Sequence, residues 1–220
     1  MKFSHWFSVV AVSTLLPAIG WASPTLGQTD TFQDGTTDGW QTGRSGSPRN
    51  VSTGGPAGAA DAFLEMTSTG TGGPGSKAII FNHAQWAGNY TSAGVTEIDM
   101  DLKNLGTTPL HMRLAFNQFG GGPGYETINA VALPTGSGWQ HAIFRIGSAD
   151  LTPLESPPSL ATVLSNVAEV RILSAASPSL DGDIIATAIG IDNIKAVPEP
   201  MSGCVLVAAA PLLLRRRLGR

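Results

Sequence analysis

The chain has 220 residues, with 13 basic and 16 acidic side chains, and its one cysteine is Cys204 near the C-terminus. The body ahead of that position therefore has no disulfide, no thiolate nucleophile and no cysteine metal site. All 16 acids lie from Asp30 to Glu199 while five cations (Lys2, Arg215, Arg216, Arg217, Arg220) sit at the two ends, so the body keeps 8 cations and a net charge of −8. Such a surface repels phosphates, which excludes nucleic acid and anionic membrane as partners of the body.

Lys2 and His5 precede an apolar stretch over 6–19, and Gly20-Trp21-Ala22 places small residues where a signal peptidase reads. Residues 1–22 are expected to be a removable signal peptide, cut after Ala22 or a few residues later before Gln28, with 23–29 as a linker. Residues 30–196 form one domain, long enough for a sizeable core. Strands are expected over 62–67, 77–82, 95–103, 110–117, 127–133, 139–146, 167–174 and 184–196. In 110–117 the alternation is clear: Leu110, Met112, Leu114 and Phe116 share one face, and His111, Arg113 and Asn117 the other. Glycine- and proline-rich turns separate the strands, including 69–75 and 120–124. Only 159–165, after Pro157-Pro158, reads as a short helical turn. Eight or nine short strands with such turns imply an antiparallel β-sandwich, most simply a jelly roll.

The chain closes with Val197-Pro198-Glu199-Pro200, an apolar run over 203–214, and Arg215-Arg216-Arg217. Twelve residues at about 1.5 Å rise cover roughly 18 Å, short of the ~30 Å hydrocarbon core, and Pro211 interrupts them. The arginines act as a cytoplasmic stop, so the tail suits a transient inner-membrane tether more than a permanent anchor. This order of parts resembles the PEP-CTERM sorting signal of bacterial exported proteins. The resemblance implies recognition of Pro198, Glu199 and Pro200 by an exosortase-like sorting enzyme, and delivery to the cell surface or extracellular matrix.

A second resemblance lies in the body. Asp30-Thr31-Phe32-Gln33-Asp34-Gly35 with Gly39-Trp40, and Gly190-Ile191-Asp192-Asn193-Ile194, are similar to the first and last strands of galactose-binding-like jelly rolls, which include many carbohydrate-binding modules. The block from Trp86 to Asp101, with Asn104 and 110–114, is similar to domains found ahead of PEP-CTERM tails. The first of these likenesses implies a structural calcium on Gln33 and Asp192, with Asp34 or Asp38 as additions, clamping the chain ends; calcium takes several oxygen ligands. The alternative for Asp192 and Asn193 is a simple strand or turn cap.

For a glycan, the rings expected to be exposed are Trp86, Tyr90 and Tyr125, which stand in glycine-containing loops, whereas Trp40 and Trp139 read as core or rim residues. Glu97, Asp99 and Asp101 share one strand face; His141 and Arg145 share another, and neighbouring strands would pair them at about 0.2–1 kcal/mol each. Asn50-Val51-Ser52 and Asn89-Tyr90-Thr91 fit the glycosylation sequon by chance. The sequence lacks a Gly-x-Ser-x-Gly elbow, a His-Glu-x-x-His pair and a phosphate-binding Gly-Lys-Ser/Thr element. The expected role is non-catalytic, binding or structuring exopolysaccharide. Two alternatives stay open: a carbohydrate-active enzyme using surface carboxylates, and a structural surface protein without a specific ligand.

Overall fold

The computed structural model describes residues 24–118 and 121–198. Its strands in chain order are β1 (Thr29–Asp30), β2 (Arg49–Val51), β3 (Phe63–Thr69), β4 (Ile79–Asn82), β5 (Glu97–Asn104), β6 (Leu110–Asn117), β7 (Gly124–Thr127), β8 (Val131–Leu133), β9 (Gln140–Arg145), β10 (Leu151–Leu154), β11 (Glu169–Ser174) and β12 (Ala186–Val197). Two one-turn helices interrupt them, α1 (Tyr90–Ala93) and α2 (Leu160–Leu164), capped by Asn89 and Ser159 through their side-chain oxygens. One sheet runs β2-β3-β12-β5-β9, with β1 added to β12; the other runs β10-β7-β6-β11-β4, with β8 added to β6. All pairs are antiparallel, and the two sheets make a jelly-roll β-sandwich.

Period-two alternation builds the core. Leu64, Met66, Ile98, Met100, Leu102, Phe144, Ile189 and Ile191 from the first sheet face Ile80, Met112, Leu114, Phe116, Val170 and Ile172 from the second, and all are buried. The stretch 127–133, expected as one strand, is instead β7 and β8 with a break between them. Arg113 causes the break: its Nη1 donates to the carbonyls of Thr127 and Ile128 at 2.7 Å each, drawing that backbone out of the ladder. The short strands β2 and β10, and the helix α1, lie outside the stretches expected from the sequence, and of the stretch likened to a first strand only Asp30 lies in β1.

The chain ends meet on the first sheet. Thr29 and Asp30 pair with Lys195 and Ile194, and β1 continues the line of β3 along one side of β12. Pairing begins even earlier, inside the expected linker, because Gly27 N–H donates to Ala196 O and Ala196 N–H to Gln28 O. Pro198 follows β12 and is exposed. The expected signal peptide, Glu199, Pro200, the apolar run and Arg215, Arg216 and Arg217 lie outside the described residues.

Beneath β1 the Asp30 carboxylate, 5% exposed, accepts the indole N–H of Trp40 at 2.8 Å and of Trp86 at 2.7 Å. Burial outweighs these bonds and lifts the Asp30 carboxyl to about 6. The folded chain then holds a proton that the unfolded chain loses near 3.8. This contribution to stability is fully present below about pH 4 and is lost as the pH rises through 6. Asp30 is expected to take about 3 kcal/mol from unfolding free energy between pH 4 and pH 7. Asp30→Asn removes that share, which urea titrations of both proteins at the two pH values will read; an unchanged difference contradicts the assignment.

Candidate functional site

The aromatic rings expected to face solvent do not. Trp86 and Tyr90 are each 0% exposed. Trp86 packs toward Trp40 with centroids 6.3 Å apart, and Tyr90 meets Phe116 edge-on at 5.3 Å while donating its hydroxyl to Trp86 O. Tyr125 is half-buried against the core, and its hydroxyl donates to Pro158 O. The glycine-bearing sequence around Trp86 and Tyr90 disguised them, because the group that claims the indole is Asp30, 56 residues away. Neither sequon is free either: Asn50 donates its amide to the Phe32 and Thr36 carbonyls, and Asn89 caps α1.

The acidic row lies where the strand parity put it, on the outer face of the first sheet. Glu97, Asp99 and Asp101 stand opposite Arg145, Ile143 and His141 of β9. Arg145 Nε lies 3.3 Å from Glu97, and His141 3.1 Å from Asp101. Arg145 and His141 are largely exposed, so these pairs stabilise little. Glu97 and Asp101 thus lie against Arg145 and His141 of the neighbouring strand and not across a cleft.

The residues expected to hold calcium divide. Asp34 is exposed and accepts from the N–H and hydroxyl of Thr36, which lower its pKa and commit it to its own turn. Gln33 instead reaches Asp61: its Nε2 donates to Asp61 Oδ1 at 2.7 Å, Thr31 O at 3.1 Å and Ala62 O at 3.3 Å, a ring of three oxygens around one point. Asp192 is fully buried at a bulge of β12 where Asn193 has φ 52°; its Oδ1 accepts the Asn193 N–H, and its Oδ2 has no partner. Burial first, then the charges of Asp61 and Asp101, push its carboxyl up to about 7. Among the described residues no three His, Cys, Asp or Glu side chains could hold a metal by themselves. A hard cation beside Gln33 would need backbone carbonyls as well and the amide turned to present Oε1; no hydrogen bond among the described residues joins Asp192 to that group. Asp61, isolated in sequence, carried no signal of its contact with Gln33.

The outer face of the second sheet holds the more developed site. On β4 the side chains of Ile79 and Phe81 point outward, with exposed His83 just beyond the strand, and Phe81 is only half-buried. Opposite Phe81 stands Arg171 of β11. On the free edge of β4, Gln41 exchanges both backbone hydrogen bonds with Phe81 at 2.9 Å, so the ring is set from two sides. The Arg171 Nε is paired with Glu169, whose other oxygen lies 3.1 Å from His83 Nδ1; the Arg171 Nη1 donates to Leu180 O. The phenyl and imidazole centroids are 5.1 Å apart.

A strap over 175–185, between β11 and β12, covers the middle of this face. Leu180 is buried on Ala115 and Leu173, Ser179 N–H donates to Glu126 Oε2 at 2.7 Å, and Lys77 and Asp181 form an ion pair at 2.6 Å. Glu126 is fully buried beneath, with Oε1 unpartnered, and burial pushes its carboxyl up to about 8. The strap leaves an open cleft of about 230 Å³ at the β4 side, walled by the 42–43 and 73–75 turns and lined by Phe81, Arg171, Lys77 and Asp181. Gly75 has φ +74°, and the Arg44 stem lies against its Cα where any side chain would stand. A larger hollow of about 410 Å³, around Gly88 and Asn166 at the sandwich end, has no charged side chain in its lining. The first cleft combines a half-buried ring with charged donors and acceptors, the chemistry that orients a polar ligand; a hollow of about 190 Å³ beside Arg145 and Asp150 also has charged groups, but its one ring, Phe144, is buried.

No protein-family model matches the chain, and no curated protein matches it. Solved structures do. An exo-β-agarase superposes on 77% of the chain at TM-score 0.53 and 12% identity, and a second agarase on 80% at TM-score 0.51 and 12% identity. The chain corresponds to 24% of the length of each. A family 11 carbohydrate-binding module from Clostridium thermocellum, solved with a β-1,3-1,4-mixed-linked tetrasaccharide, matches over 79% of the chain and 97% of its own length, at TM-score 0.50 and 18% identity. At these identities the likeness establishes the fold: an antiparallel jelly roll of the kind seen in that module and in part of those agarases.

Proposed function

We propose that the body is a non-catalytic glycan-binding module of an exported cell-surface or matrix protein, acting on exopolysaccharide. The observation that carries this reading is the β4–β11 cleft, where Phe81 offers a ring to the C–H face of a sugar and Arg171, Lys77 and Asp181 offer hydrogen bonds to its hydroxyls. The jelly-roll likeness to a carbohydrate-binding module supports it. The commitment of Asp101 to His141 and Asn193 favours it over an enzyme working with surface carboxylates. Binding of the purified protein to immobilised polysaccharides is expected, weakened about tenfold or more by Phe81→Ala, since a stacked ring contributes roughly 1–2 kcal/mol. Retention of no glycan would overturn the reading in favour of a structural surface protein.

Calcium belongs to the same proposal as a clamp on Asp61, Asp192, the carbonyls of Thr31 and Ala62, and the Oε1 of Gln33 once its amide, whose Nε2 now donates to those oxygens, turns over. The ion supplies charge that buried Asp192 lacks, and ties the loop after β1 to β12. Chelation is expected to lower the melting temperature by several degrees in the native protein and not in Asp192→Asn, as read by calorimetry; equal melting with and without chelator contradicts the clamp.

Export and sorting complete the reading. The exposed Pro198 immediately after β12 supports a Pro198-Glu199-Pro200 element accessible to an exosortase-like enzyme once a signal peptidase has released the N-terminus. Deleting 198–200 is expected to leave a tail-bearing precursor in the membrane fraction; unchanged processing in cells contradicts the assignment.

A further inference from the structure

The cleft's charge narrows its ligand. Two of the body's 8 cations, Lys77 and Arg171, line this one cleft of a body whose net charge is −8, and the stem of a third, Arg44, lies against Gly75 in its wall. The acids beside them are Asp181 and Glu169, so the locality is net positive where the rest of the surface is negative. Two donors remain unspent. Arg171 uses Nε on Glu169 and Nη1 on Leu180 O, while Nη2 makes no hydrogen bond among the described residues and lies 3.5 Å from where a side chain on Gly121 would begin. Arg44 is exposed, its stem crosses Gly75 in the cleft wall, and its guanidinium pairs with no acid among the described residues.

A buried guanidinium held at two nitrogens is oriented before any ligand arrives, so little further freedom is lost when the third binds. A neutral sugar hydroxyl would satisfy Nη2 but would leave Arg44 and the local excess charge unanswered. A carboxylate or sulfate ester on the sugar answers both, through charge-assisted bonds stronger than those to hydroxyls. The cleft's volume of about 230 Å³ lies below the roughly 300 Å³ at which drug-sized pockets begin, and the strap closes one side of it, so it takes one or two rings.

We infer that the β4–β11 cleft binds an acidic sugar residue, its ring on Phe81 and its anionic group between Arg171, Lys77 and Arg44. This rests on the glycan-binding reading and names the ligand class of that site. The bound anion needs Lys77 partly released from Asp181; that pair is exposed, and releasing it costs little.

The test measures retention of the purified protein on polygalacturonate, which presents carboxylates, on chondroitin sulfate, which adds sulfate esters, and on neutral mixed-linkage β-glucan. Binding to at least one anionic polymer should exceed binding to the neutral glucan and fall about tenfold or more between roughly 50 and 500 mM salt, where the Debye length shrinks from about 14 to 4 Å. Preference between the two anionic polymers identifies the group. The exposed double variant Arg44→Gln, Lys77→Gln should lose about tenfold on the anionic polymer, the order of one hydrogen bond to a charged group. Asp181→Asn should strengthen binding, which a merely structural role for the Lys77 pair would not do. Tighter binding to the neutral glucan, insensitive to salt and to Asp181→Asn, overturns the acidic-sugar inference while leaving the glycan reading intact. Retention on none of the three polymers, with a full glycan panel also negative, overturns both.

Discussion

The buried carboxylate of Asp30, shared by two indole N–H groups, holds this sandwich in register. It closes the first strand, and through Trp40 and Trp86 it fixes two loops that share no sheet with it. Trp86 in turn carries Tyr90, and Tyr90 meets Phe116 in the opposite sheet. A polar group at the sandwich end thereby connects both layers. In a body without cysteine, this hydrogen-bonded end does the positional work that a disulfide performs in many exported domains.

From that anchored end the rest follows by strand order. β1 is held against β12, β12 runs between β3 and β5, and the chain before β12 must cross from the second sheet to the first. The crossing is the strap, which Leu180 seats on Ala115 and Leu173 and which Ser179 and Asp181 pin to Glu126 and Lys77. Because the strap fills the middle of the outer face, what stays open is the β4 side, where Phe81 and Arg171 stand opposite each other. The site is therefore a by-product of how the fold covers its own second sheet.

Much of the architecture was legible because alternation is a local property. The parity of 110–117 and of 97–103 sorted inward from outward residues correctly, including the acidic row that meets His141 and Arg145. What could not be read locally was decided by distant partners. Trp86 and Tyr90 looked exposed because Asp30 is far away in sequence; the 127–133 stretch looked continuous because Arg113 alone withdraws the carbonyls of Thr127 and Ile128. Gln33 contacts Asp61, 28 residues away, and Asp34 turns back on Thr36, neither of which a local reading shows. Phe81 was read only as part of a strand, although apolar side chains on both faces of an edge strand, Ile80 inward and Phe81 outward, already mark a face with something to cover or to bind.

The position of β12 has a mechanical side. Its last residues lead straight to exposed Pro198, and along its 12 residues it is bonded to β3 and then β1 on one side and to β5 on the other. Tension applied at Pro198 along the strand axis loads both ladders in shear, many hydrogen bonds at once. A peeling geometry would break them one by one. Pulling at this end is therefore resisted through a strand bonded on both sides along its length.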